Sequence, residues 1–116
     1  MKVAVIGSRG LTLSDFGNKT LEDYLPPGTT AIISGGARGI DADAKEYALT
    51  AGLEYIEFLP DYARYKRGAP HKRNDEIISA ADLVLAFWDG SSRGTASVIE
   101  KCMRKSVPIR VIRPSE

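Results

Sequence analysis

The 116-residue chain has a single cysteine, Cys102, so no disulfide can form within it. It has a single histidine, His71, and one histidine with one distant cysteine does not make a metal-ligand set. Charge of one sign is also lacking: Lys and Arg total 16, Asp and Glu 15, and the formal net charge is +1. Nonspecific duplex nucleic-acid binding draws on a basic face, which this balance does not announce, so duplex binding is not expected. No stretch approaches ~18 uninterrupted apolar residues, so no membrane span is expected. Met1 to Ile6 lack the ~7–15-residue apolar core of a signal peptide, and a reducing cytoplasm is the expected location. Cys102 falls on the apolar side of a helical stretch and reads as a small core residue. Linkers, fixed-period repeats and low-complexity runs are missing too, and the length suits one domain, residues 1–116.

What the chain does contain is an alternation of strand and helix signals. Lys2 to Ile6 reads as a strand closed by Gly7. Asp15 to Leu25 has helical spacing through Phe16, Leu21, Tyr24 and Leu25, with Ser14 as N-cap. Thr30 to Ser34 reads as a second strand. Asp41 to Ala51 reads as a helix, with Asp41 as its N-cap and Gly52 as its terminator. Glu54 to Leu59 is a third strand, and 61–69 a loop. Pro70 fits the first turn of a helix reaching Ala80. Leu83 to Trp88 is a fourth strand, Thr95 to Lys105 a helix, and Pro108 to Ile112 a fifth strand.

Five such alternations predict an α/β fold with a mainly parallel five-stranded sheet and helices on both faces. Central strands of such sheets are apolar on both faces, and edges tolerate charge. Strands one, two and four are nearly free of charge inside; strand three carries Glu54 and Glu57, and strand five carries Arg110. The predicted order is therefore 3-2-1-4-5, a doubly wound, Rossmann-like domain. The alternative order 2-1-3-4-5 would put the uncharged second strand at an edge.

Two segments follow strands with glycine-rich turns that open helices. One is Ser34-Gly35-Gly36-Ala37-Arg38-Gly39-Ile40-Asp41, the other Trp88-Asp89-Gly90-Ser91-Ser92-Arg93-Gly94-Thr95. Gly7-Ser8-Arg9-Gly10 repeats the pattern more weakly. Glycine lets backbone N–H groups approach an anion, and a helix N-terminus adds partial positive charge. Ligands of open α/β sheets bind beyond the carboxyl ends of the strands. The segments expected there, 7–14, 35–40, 60–73 and 89–94, hold six of the nine arginines in under a third of the chain. The neutral total thus conceals a basic rim suited to phosphate. Pro70-His71-Lys72-Arg73 puts cations in a helix first turn, where a bound anion would offset their cost; extension into water or pairing with Asp75 and Glu76 explains them as well. Asp89 could accept from a ribose hydroxyl or hold an arginine in place. Trp88 and Tyr65 could face a base, and both also suit packing roles. The first turn lacks G-x-G-x-x-G, and Ser34 rather than an acid closes strand two, which weakens a dinucleotide reading.

Taken together, VIGSRG, ISGGARGIDADAKEYA, PDYARYKRGAPHKRNDEII, ADLVLAFWDGSSRGTASVI and VPIRVI resemble the SLOG superfamily over nearly the whole chain. That superfamily includes DprA (Smf) and the LOG-type nucleoside-monophosphate phosphoribohydrolases. The chain is most similar to its small single-domain YspA/YpsA-like branch. The resemblance implies a domain that binds a nucleotide or nucleotide-derived ligand, as a sensor. It carries binding roles onto Gly35, Gly36, Arg38 and Gly39, and onto Gly90, Ser92, Arg93, Gly94 and Thr95. Arg73 and Asn74 match the R-N that opens the third helix in this branch. LOG-type hydrolases resemble P-G-G-x-G-T followed closely by a catalytic glutamate. Here Thr95 is followed by Ala96, Ser97 and Val98, and the next carboxylate is Glu100, leaving Asp41 and Asp89 as the assignable carboxylates.

The expected function is thus binding of a phosphorylated, nucleotide-like small molecule by Arg38, Arg93 and the glycine loops, with Asp89 or Asn74 on the sugar. A phosphoribohydrolase and a single-strand DNA-binding module are the alternatives. No resident cofactor is indicated, and a magnesium ion escorting a diphosphate is compatible with the site. Ala42, Ala44 and Ala48 suit close packing in a homodimer, and core packing on the sheet explains the same alanines.

Overall fold

The computed structural model describes residues 1–17 and 20–114. Its strands are β1 (Lys2–Gly7), β2 (Ala31–Ser34), β3 (Glu54–Glu57), β4 (Leu83–Phe87) and β5 (Ile109–Ile112). They form one sheet in the order β3-β2-β1-β4-β5, with all four pairings parallel. The charge pattern along the strands is therefore the edge pattern. Glu54, Glu57 and Arg110 are exposed on the outer strands, while β2 is buried throughout. Side chains alternate across a strand, and the apolar runs of the inner strands feed two cores. Val3, Val5, Ile32, Leu85 and Phe87 enter one, and Ala4, Ile6, Ile33, Val84 and Ala86 the other.

Among the described residues the α-helices are α1 (Ile40–Ala51), α2 (Tyr62–Tyr65), α3 (Ala69–Ala80) and α4 (Arg93–Arg104), of which α1, α3 and α4 pack on the sheet. Helix α1 puts Ile40, Ala44 and Ala48 into the first core. Ala44 and Ala48 are thus spent on the sheet, while Ala42 is exposed. Gly52 ends α1 in the left-handed conformation, its N–H donating to the Ala48 carbonyl. Helices α3 and α4 bring Ile77, Ile78, Val98 and Cys102 to the second core. They are tied by Lys101 Nζ to Asp75 Oδ1 at 3.0 Å. Cys102 is fully buried, and burial pushes its thiol up, away from the reactive thiolate.

Two expectations are corrected. No α-helix forms over 15–25 among the described residues; 3₁₀ turns occupy Leu13–Phe16 and Leu21–Asp23, and residues 18 and 19 of the expected span lie outside the described set. The cause is local. Asp15 Oδ2 accepts from the Thr12 N–H at 2.8 Å and Asp23 Oδ2 from the Thr20 N–H at 2.7 Å, so each Thr-x-x-Asp starts its own turn. Gly17, at φ 87°, separates them. Ser14 lies inside the first turn, and Thr12 precedes it as the cap. Phe16 and Leu21 still fill the first core, with the Phe16 ring edge-on to Phe87 at 5.0 Å. The second correction concerns the expected loop 61–69. Asp61 caps α2 by accepting from the Arg64 N–H at 3.1 Å, and a 3₁₀ turn over Lys66–Gly68 leads into α3.

Candidate anion-binding site

Strand order reverses between β1 and β4: β1 leads away toward β2, β4 toward β5. The crevice beyond their carboxyl ends is the natural ligand position in an open α/β sheet. Backbone and hydroxyl bonds stitch its two lips together. The Ser8 N–H donates to the Phe87 carbonyl at 3.0 Å, and the Asp89 N–H to Ser8 Oγ at 3.3 Å. Asp89 Oδ1 accepts from the N–H groups of Ser91 at 2.8 Å and Ser92 at 2.7 Å. Those donors hold its carboxyl below the usual range. Among the described residues this carboxylate pairs with no arginine, the structural role expected of it; it holds its own loop instead and shapes the turn that aims α4.

Helix α4 begins without a side-chain cap from Ser92, and α1 is preceded by Gly39, which has no side chain to offer. Among the described residues no N-cap side chain meets the first N–H groups of either helix at its positive dipole end. Gly39 rather than Asp41 is the N-cap of α1, which corrects the sequence expectation. Gly39 takes φ 79°, and a Cβ there would run into the Leu11 carbonyl oxygen. The tight glycine turn starts the helix at Ile40 and leaves Asp41 within its first turn, where the carboxylate folds back to accept from the Ala37 N–H at 3.1 Å. Asp41 is only 7 % exposed. Burial pushes its carboxyl above 3.8, outweighing the Ala37 N–H, the Arg73 guanidinium and the Ser34 hydroxyl, which favour the charged form. Ser34 Oγ is fully buried; it lies close enough to influence Asp41 and Tyr55 yet, among the described residues, meets no partner at hydrogen-bonding geometry.

Arg73 reaches across from α3. Its Nη1 donates to the Gly35 carbonyl at 2.9 Å, and its Nε to Asn74 Oδ1 at 2.8 Å. A Cβ on Gly35 would stand 2.5 Å from Arg73 Nη1 and 3.2 Å from Asp41 Oδ2, so only glycine admits this approach. The two glycines differ in what an added methyl would push. At Gly35 it meets the far end of a flexible side chain, and Gly35→Ala is expected to cost about 1 kcal/mol, mainly the lost Arg73 bond. At Gly39 it meets fixed backbone at positive φ, and Gly39→Ala is expected to cost about 2–3 kcal/mol. Urea denaturation of both variants checks the ranking; equal losses would contradict it.

These groups surround a cavity of about 470 Å³, within the usual range for small-ligand sites. Eleven of the sequence-selected residues line it: Gly7, Ser8 and Arg9 after β1, Gly35 and Asp41 around α1, Arg73 and Asn74 on α3, and Asp89, Ser92, Gly94 and Thr95 at α4. Eight do not. Arg38 and Arg93 are exposed outside the lining, and Ser34, Gly36, Gly39 and Gly90 lie in or behind the turns. Trp88 is also outside it, its Nε1 donating to the Ser92 carbonyl at 3.0 Å with Arg113 over its ring. Tyr65 is engaged by the cations of Arg64 and Lys72. Sequence reasoning missed the apolar floor of Ile6, Ile77 and Val98, with Pro70 beside it. On α3, Pro70, Arg73, Asn74 and Ile77 fall at i, i+3, i+4 and i+7, one helical face, and that spacing was the available signal. Among the described residues no group of three or more His, Cys, Asp or Glu could hold a metal, and no helix is long and apolar enough to cross a membrane.

The family described as DNA recombination-mediator protein A has a model that matches residues 1–100 of the chain. No curated protein and no solved structure matches it.

Proposed function

The chain belongs to the DNA recombination-mediator protein A family, within the SLOG superfamily, and on that premise we propose that it binds a nucleotide or nucleotide-derived phosphorylated ligand as a sensor or carrier. The supporting observation is the cavity at the reversal of strand order, where Arg9, Arg73 and the uncapped start of α4 meet above an apolar floor. Phosphate oxygens would take the Arg73 fork and the N–H groups of Gly94 and Thr95. The base or sugar would lie toward Ile6, Ile77 and Val98. Thermal unfolding with a panel of nucleoside mono- and diphosphates tests this. A true ligand at 100 times its Kd adds about 2.7 kcal/mol of stability. A panel in which no phosphorylated compound raises the midpoint sinks the reading.

Single-strand DNA binding is a second reading, favoured by the family's description and by the exposed Arg64, Lys66, Arg67 and Tyr62 in the segment that leads into α3. Filter binding at two salt concentrations would show a steep salt slope if this surface tracks a phosphate backbone. Hydrolysis of a nucleoside monophosphate has less support. Glu100 is exposed outside the cavity, 3.9 Å from Arg104, and Asp89 is engaged by its own loop. Free base released from the same panel would restore it.

A further inference from the structure

Arg73 is the half-buried cation of the cavity, and among the described residues it forms no ion pair of 4.0 Å or shorter. Its charge is therefore not neutralised by a direct carboxylate partner. A guanidinium carries five N–H donors in one plane. Two are spent, Nε–H on Asn74 Oδ1 and one Nη1–H on the Gly35 carbonyl. Bonds at two edges of the planar group fix both its reach and its rotation. The Nη2 pair and the second Nη1–H remain for a guest.

We propose that Asn74 is a positioning residue of the anion site, acting on the guest through Arg73 rather than by touching it. The inference rests on the reading of the cavity as an anion site. Arginine offers only donors, so the contact fixes the Asn74 amide with its oxygen on Nε and its NH₂ turned away. Gly35 alone would hold one corner of the guanidinium and leave it free to pivot. Asn74 supplies the second point and settles the long side chain before the guest arrives. A pre-set fork binds more tightly than one that must be ordered on binding.

The competing role is a direct bond from the Asn74 NH₂ to the guest, and a double-mutant cycle separates the two. The probe is inorganic pyrophosphate, titrated calorimetrically into the full chain at low ionic strength. Asn74→Ala is expected to weaken binding about ten-fold. In an Arg73→Lys background, which keeps a charge but has no Nε–H, the same change should cost less than about two-fold. A ten-fold loss in both backgrounds overturns the proposal and makes Asn74 a direct contact. No loss in either background overturns it as well. A ligand-free readout stands beside these. The Arg73 Nε–H proton should exchange slowly with water in the native chain and rapidly in Asn74→Ala. Equal exchange in the two would overturn the proposal whatever the titration gives. If pyrophosphate fails to bind the native chain, the anion-site reading falls and the positioning role with it. Binding with an unchanged Asn74→Ala variant removes the positioning role alone.

Discussion

Arg73→Ala is expected to weaken pyrophosphate binding about 100-fold, whereas Arg38→Ala and Arg93→Ala each cost less than about three-fold at physiological salt. The contrast follows from placement. Arg73 is half-buried, held at two of its nitrogens, and lines the cavity. Its removal deletes both a fork of charge-assisted donors and the local positive charge. Arg38 and Arg93 are solvent-exposed and outside the lining, so water and salt screen what they offer a guest. Calorimetric titration of the three variants measures the difference. Circular dichroism confirms folding, since Arg73→Ala also frees the Gly35 carbonyl. Equal losses at all three positions would mean that the anion sits on the rim and not in the cavity.

That contrast marks where the sequence was legible and where it was not. Sheet order could be read because it depends on which strands tolerate charge, and Glu54, Glu57 and Arg110 stand on the outer two. The crevice could be read because glycine turns follow β1, β2 and β4. The choice among arginines could not be read from glycine neighbours. It depends on which face of a helix points inward. Arg73 lies one turn before the buried Ile77, and that i, i+4 relation carries its head over the strand ends. Gly94 and Val98 share a face of α4 in the same way, while Arg93 is rotated by about 100° from Gly94. The segment 15–25 misled because Phe16 and Leu21 are core residues whether a helix or two capped turns present them. Apolar spacing reports burial. Here the Thr-x-x-Asp pairs and Gly17 decided the backbone.

Asp41→Asn is expected to tighten sulfate binding about ten-fold at neutral pH, with the gain shrinking as the solution is acidified. Sulfate is the useful probe because its charge is constant across the working range. Arg73 Nη1 and Asp41 Oδ2 both lie within 3.2 Å of the point where a Gly35 Cβ would stand, so an anion on Arg73 would be a near neighbour of the carboxylate. Like charges ~6 Å apart at an effective dielectric of ~20 repel by about 3 kcal/mol, and screening by water and salt reduces that. Burial already raises the Asp41 carboxyl, and the anion would raise it further, so any protonation change that binding brings at Asp41 is uptake and not release. Arg73 and Arg9 face the cavity as cations, Asp89 as a second carboxylate, and His71 is exposed on the first turn of α3; Asp41→Asn isolates the Asp41 contribution from theirs. Stability follows the same sign. The folded state keeps the Asp41 proton at a pH where the unfolded chain has released it. Its stabilising share is therefore whole below about pH 3.8 and is lost as pH rises through the folded value. Asparagine can still accept from the Ala37 N–H, so the variant should unfold at a higher temperature than the native chain at pH 7 and show no such advantage at pH 3.5. A variant that binds sulfate no better at pH 7, or whose gain grows in acid, would place the anion away from Asp41 and so away from Arg73.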